Sequence, residues 1–198
     1  MNSVQLDWKN VDKIKNIHPL QNPKTTQGCL EIMYNLEKIL NSITGMHSTT
    51  LQPSAGSQGE LAGTLVIKKY HNEKGNNKKN IIIPESAHGT NPASVVLGGF
   101  TPVKVGTNSE GRVDLEDLKN KVDSDTAGMM LTQPNTLGLF ENDIEEISNI
   151  IHNVDGLMYM DGANLNALLG IAKPFDMGFD ITHINLHKTF STPHGGGG

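Results

Sequence analysis

The chain has 198 residues, enough to bury one substantial core, and a net charge of −5 with Arg112 as its only arginine. That balance excludes a broad reader of phosphate backbones, which would be richer in arginine, and the single Cys29 excludes an intramolecular disulfide framework. No apolar run approaches the roughly 20 residues needed to cross a bilayer, and the N-terminus lacks the basic and apolar stretches of a secretory signal. The expectation is a globular cytoplasmic protein with no nucleic-acid or membrane partner. Its 21 glycines suit tight turns and close approaches of backbone to a ligand.

Residues 1–24, with prolines at 19 and 23, read as an irregular arm, and 25–198 as one large domain. Leu30, Met33, Leu36, Leu40 and Ile43 recur at helical spacing, so a helix is expected over 25–43, stopped by Gly45. A short strand is expected at Thr49–Gln52, then a small-residue turn, Ser54-Ala-Gly-Ser-Gln-Gly-Glu60. The next helix, about 58–71, offers Leu61, Leu65 and Tyr70 for packing, and the polar stretch 72–80 reads as a solvated loop. Apolar runs at Ile81–Pro84, Pro102–Val105, Gly128–Thr132, Leu157–Asp161 and Ile181–Asn185 read as strands. Helices are expected between them at 92–98, with Asn91 as cap and Pro92 in the first turn, and at 114–122 and 143–153. Short apolar strands alternating with helices imply a three-layer α/β fold around a mainly parallel sheet. Ligands bind such sheets at the carboxyl ends of the strands.

Four polar clusters fall just after expected strands. The turn at 54–60 is either an ordinary turn or a phosphate cradle made of backbone N–H groups at a helix start. Ser86-Ala-His-Gly-Thr-Asn-Pro92 carries His88, which is either a turn residue or a functional imidazole. Asp161-Gly-Ala-Asn164 ends an apolar strand, so its carboxylate must be capped, paired or turned to a ligand. Asn185-Leu-His-Lys-Thr189 carries Lys188, solvated or chemical. Taken together they are the parts of a pyridoxal-phosphate site, which needs a lysine for a Schiff base, a carboxylate at the pyridine nitrogen and donors for phosphate. A metal site drawn from His88, Asp161, His183, His187 and His194 ranks lower, since neither HExxH nor paired cysteines occur, and no metal is expected. A serine nucleophile lacks its GxSxG turn.

The strings LQPSAGSQGELAG, PESAHGTNPAS, LTQPNTLGLFENDIEEI, YMDGANLNALLG and HINLHKTFSTPHGGGG resemble the pyridoxal-phosphate subunit (P-protein) of glycine decarboxylase, in the second subunit of its two-chain form. The resemblance implies the aspartate-aminotransferase-like fold (fold type I), with a seven-stranded, mainly parallel sheet in the large domain. It implies decarboxylation of glycine within the glycine cleavage system and passage of the aminomethyl group to the lipoyl arm of the H-protein. It also implies a partner subunit 1, in a heterotetramer of two copies of each.

Residue by residue, the resemblance makes Lys188 the cofactor-binding lysine and sets Asp161 at the pyridine nitrogen. It stacks His88 on one ring face and Ala163 on the other. Ala55, Gly56, Ser57 and Thr189 would hold the phosphate. Thr136 would contact the cofactor oxygen or the substrate carboxylate, and His187 would either orient the reacting group or fill space. The glycine run 195–198 would allow a close approach, and Trp8 with the arm would meet a neighbouring subunit. The chain reads as a fragment without the small C-terminal domain of that fold. A non-catalytic scaffold, or another lyase or transferase of the fold, is the alternative.

Overall fold

Ile81, Ile82 and Ile83 are all buried, because the strand that carries them lies inside a sheet covered on both faces. The computed structural model describes residues 16–190; Trp8, most of the arm, His194 and the glycine run lie outside them. The strands are β1 (Asn80–Pro84), β2 (Thr101–Val105), β3 (Thr126–Thr132), β4 (Leu157–Gly162) and β5 (Ile181–Ile184). All pair in parallel, in the order β2-β1-β3-β4-β5.

Side chains alternate between two cores. Ile82, Met129, Leu131, Met158 and Met160 pack with Leu118 of α4 (Leu115–Lys121) and with Ile144, Ile147 and Ile151 of α5 (Ile144–Asn153). Ile81, Ile83, Met130 and Tyr159 face the other way. There they meet Ile67 of α2 (Gly56–Glu73) and Val95 of α3 (Thr90–Leu97). The three-layer α/β architecture follows, and each fully buried aliphatic side chain contributes roughly 1.5–3 kcal/mol.

Three expectations fail here. No strand forms at 49–52, because that segment finds no neighbouring strand to pair with; Thr49 instead donates its hydroxyl to Asn41 at 2.6 Å. The first helix, α1 (Gln27–Thr44), ends at a left-handed Gly45 (φ 75°) as expected, but of its five apolar stripe residues only Leu40 is buried. Leu30 and Met33 stay exposed because only the C-terminal end of the helix reaches the core. Third, α2 does not pack through Leu65, which is 49% exposed, but through Glu60, Gly63, Thr64, Ile67 and His71. A Cβ on Gly63 would stand 2.0 Å from Cε2 of Tyr159, so the helix rests directly on that ring. Hydropathy could not find this face, since its stripe is mostly small or polar.

His71 gives the molecule an acid-sensitive joint. Its Nε2 donates to the Ala127 carbonyl at 2.8 Å, and burial lowers the ring's pKa below its ordinary 6.5. The unfolded chain therefore binds the extra proton more readily, and stability is lost as pH falls below about 6.5. In His71→Gln, which keeps a donor for Ala127, the loss of unfolding free energy between about pH 7.5 and about pH 5.5 should shrink in urea titrations. An undiminished acid step would assign it to other groups.

Candidate active site

The strand order reverses between β1 and β3, and a reversal of this kind opens a crevice at the carboxyl ends of the strands. The chain leaving β1 carries His88, and the chain leaving β3 carries Thr136. Asp161 lies near the end of β4, and β5 runs through Asn185 into α6 (Leu186–Thr189) with Lys188. The start of α2 closes the ring with Gly56 and Ser57. His88, Thr136, Asp161, Ala163, Lys188, Gly56 and Ser57 line one cavity of about 600 Å³. Ala55, His187 and Thr189 flank the lining without being part of it.

Asp161 is buried, and its carboxylate is held from several sides. Asn91 Nδ2 donates to Oδ2 at 3.0 Å, and the Ala163 N–H donates to Oδ1 at 3.1 Å. Asn91 is therefore no helix cap: α3 begins at Thr90, with Gly89 at the cap position, and Asn91 is turned inward to the carboxylate. Glu60, also buried, accepts from the hydroxyls of Thr90 at 2.8 Å and Ser94 at 2.9 Å, and the Thr90 hydroxyl lies 2.7 Å from Nδ1 of His88. Glu60, Asp161 and His183 bring ligand-type atoms within 4.8 Å of one another. Those carboxylates already accept the hydrogen bonds just named, so the group is a hydrogen-bond network as it stands.

At the start of α2 no side chain caps the helix, and Ala55 before it is extended. A Cβ on Gly56 would lie 2.7 Å from Oδ1 of Asn185, so only glycine lets the helix start come this close to the exit of β5. Gly56 and Ser57 thereby present a helix N-terminus to the cavity.

The Thr136 loop is stapled by Glu141. One carboxylate oxygen accepts from the Val113 N–H and the other from Asn135 Nδ2, both at 3.1 Å, while burial pushes the carboxyl pKa up. Asn135 Oδ1 in turn accepts from the N–H groups of Leu137 and Leu139. Glu141→Ala would leave the Val113 N–H without an acceptor, at about 1–3 kcal/mol, and would leave Asn135 Nδ2 with the Gly111 carbonyl alone. The expected result is a lower thermal midpoint with faster proteolytic nicking at 134–140; nicking at the unaltered rate would show that the loop holds without the staple.

The model of aminotransferase class-V matches residues 55–197. This chain belongs to that family. Pyridoxal phosphate is the cofactor which the membership indicates. The chain is also 57% identical over 190 residues to the probable glycine dehydrogenase (decarboxylating) subunit 2 of Pyrococcus horikoshii, covering 96% of this chain and 38% of that protein. The protein of the same name from Bacillus cereus is 57% identical over 184 residues, covering 92% and 38%. The chain thus spans about 38% of the length of these curated relatives.

Among solved structures, sphingosine-1-phosphate lyase from Burkholderia pseudomallei superposes on this class-V chain with a TM-score of 0.67 at 18% identity, over 87% of this chain and 44% of that one. An aromatic aminotransferase from Pyrococcus horikoshii gives 0.63 at 20%, over 81% and 45%. At such identities the likeness concerns the fold, and it is that of fold type I enzymes. Among the described residues no helix is long and apolar enough to cross a membrane.

Sequence reasoning missed Glu60 and Asn91 as parts of this class-V site. Glu60 closes the small-residue turn, and its signal is the stripe 60, 63, 64, 67 and 71, which runs at helical spacing although it is polar.

Proposed function

We propose that this chain carries the pyridoxal-phosphate site of a glycine dehydrogenase (decarboxylating), the second subunit of a two-chain P-protein in the glycine cleavage system. The observation that carries the reading is the meeting of Lys188 and Asp161 in one cavity, in a chain 57% identical to relatives of that name.

The residues fit the cofactor. Lys188 offers an amine for the aldehyde carbon and Asp161 a carboxylate for the pyridine nitrogen. Gly56 and Ser57 offer a helix N-terminus to the phosphate, with Ala55 behind them. The buried hydroxyl of Thr132, which lines the cavity, lacks a hydrogen-bond partner, as a polar atom left for a ligand would.

When bound, pyridoxal phosphate supplies the sink for the electrons released as glycine loses its carboxylate. The chain supplies the rest. Asp161 keeps the proton on the pyridine nitrogen, because a nearby anion favours the charged form. Lys188 would hold the cofactor through Nζ, with its amine where the glycine amine must come to bind. His88 would cover one ring face, with Ala163 on the other. Thr136, on its stapled loop, orients the substrate carboxylate or the cofactor oxygen, and His187 orients the reacting group. The disulfide of the H-protein's lipoyl arm would accept the aminomethyl group, one sulfur bonding its carbon and the other leaving as a thiol, with CO₂ as the product of the lost carboxylate. A subunit 1 completes the assembly as a heterotetramer of two copies of each, in the cytoplasm.

The test uses the full-length protein that carries this sequence, with subunit 1, H-protein and carboxyl-labelled glycine. Labelled CO₂ is expected from glycine and only with H-protein present. Release from another amino acid in preference to glycine would overturn the substrate assignment.

A further inference from the structure

We propose that His183 is a positioning residue for Asp161, donating from Nε2 to the carboxylate while Tyr159 fixes the opposite ring nitrogen. The inference rests on the cofactor reading above and names the group that aims its carboxylate.

His183 and Asp161 are register partners on β5 and β4, so their side chains share a face of the sheet. His183 Nε2 lies 3.3 Å from Asp161 Oδ1, with both side chains buried. On the far side of the ring, the Tyr159 hydroxyl lies 2.7 Å from Nδ1. Helix α2 lies close against this side chain, since a Cβ on Gly59 would stand 3.0 Å from Cβ of His183.

The direction of these bonds follows from burial. Burial foremost, with Asp161 and Glu60 adding to it, raises the Tyr159 phenol well above its ordinary pKa, so it keeps its proton and donates it to Nδ1. Burial lowers the pKa of His183; Asp161 and Glu60 oppose that change, and Lys188 adds to it. A neutral ring that accepts at Nδ1 carries its one proton on Nε2, the nitrogen that lies 3.3 Å from Asp161 Oδ1.

The consequence is electrostatic. Asn91 and Ala163 hold the carboxylate with neutral donors, and His183 becomes a third. An imidazolium here would cancel the charge of Asp161; a neutral imidazole orients it and leaves the whole negative charge for the pyridine nitrogen. Sequence inspection could weigh His183 only as a candidate metal ligand, because its partners lie on the next strand.

The experiment measures cofactor binding by the full-length protein, through the dissociation constant and visible band of bound pyridoxal phosphate and borohydride-fixed adduct at Lys188. His183→Phe keeps a ring without a donor and should weaken binding about tenfold or more, the scale of a lost hydrogen bond to a charged group, and shift the band. His183→Gln restores a donor near the Nε2 position and should recover binding to within about threefold. Tyr159→Phe, which frees Nδ1, should fall between them.

If His183→Phe does not fold, His183→Asn replaces it, since its shorter side chain stops short of Asp161. Equal binding by all variants, or equal weakening by Phe and Gln with the band unmoved, would reduce His183 to packing and overturn the proposal. Absence of any Lys188 adduct in the wild-type protein would instead overturn the cofactor reading, and this inference with it.

Discussion

Replacing Lys188 by alanine is expected to abolish the borohydride-fixed pyridoxyl adduct and to lower glycine decarboxylation by roughly 10³-fold or more. Lys188 sits one turn past β5, in a four-residue helix whose Asn185 also meets the start of α2. The lysine is thus presented by a junction of two elements, and its amine lines the same cavity as Asp161. No other described lysine lines that cavity, so no neighbour stands ready to replace it. The check is a mass-spectrometric map of the reduced protein. An adduct of undiminished yield on another lysine in Lys188→Ala would remove Lys188 from the centre of the site.

Gly63→Val is expected to cost the fold more than any other single exchange on α2. Its Cβ would lie 2.0 Å from Cε2, 2.7 Å from Cδ2 and 3.1 Å from Cζ of Tyr159. The ring is fully buried and its hydroxyl is tied to His183, so the ring cannot step aside. Helix α2 must lift instead, taking Glu60 and the Gly56–Ser57 helix start with it. Overpacking of a well-filled core costs about 1–3 kcal/mol, and more where neither partner can relax. That is a large share of the roughly 5–15 kcal/mol that holds a domain folded. A thermal melt followed by circular dichroism reads the loss, and Gly63→Val combined with Tyr159→Leu should recover part of it. A single variant melting like the wild type would mean that α2 is not seated on this ring.

The sequence by itself determined the five strands of the sheet, though it also suggested a sixth at 49–52 that does not form, and it marked where along the chain chemistry could occur. Ile81–Ile83 and Met129–Leu131 are apolar without a break, because a strand buried on both faces needs no polar side. The polar clusters at His88, Asp161 and Lys188 stand out by following such runs, and the parallel pairing then gathers them at one end of the sheet. These are local signals, carried by a few consecutive residues.

What only the tertiary structure decided is the fate of residues whose partners are distant. Asn91 reads as a helix cap until Asp161, 70 residues on, is found beside its amide. Glu60 reads only as the end of a small-residue turn until Thr90 and Ser94 close over it from 30 and 34 residues away. The stripe of α1 reads as a core face, yet Ile32 and Tyr34, off that stripe, are 62% and 57% exposed and Leu30 and Met33, on it, are exposed too. An apolar side chain prefers burial wherever it stands, so periodicity reveals the preference. A polar one is buried only where a specific donor or acceptor meets it, and the packing of remote segments alone supplies that partner.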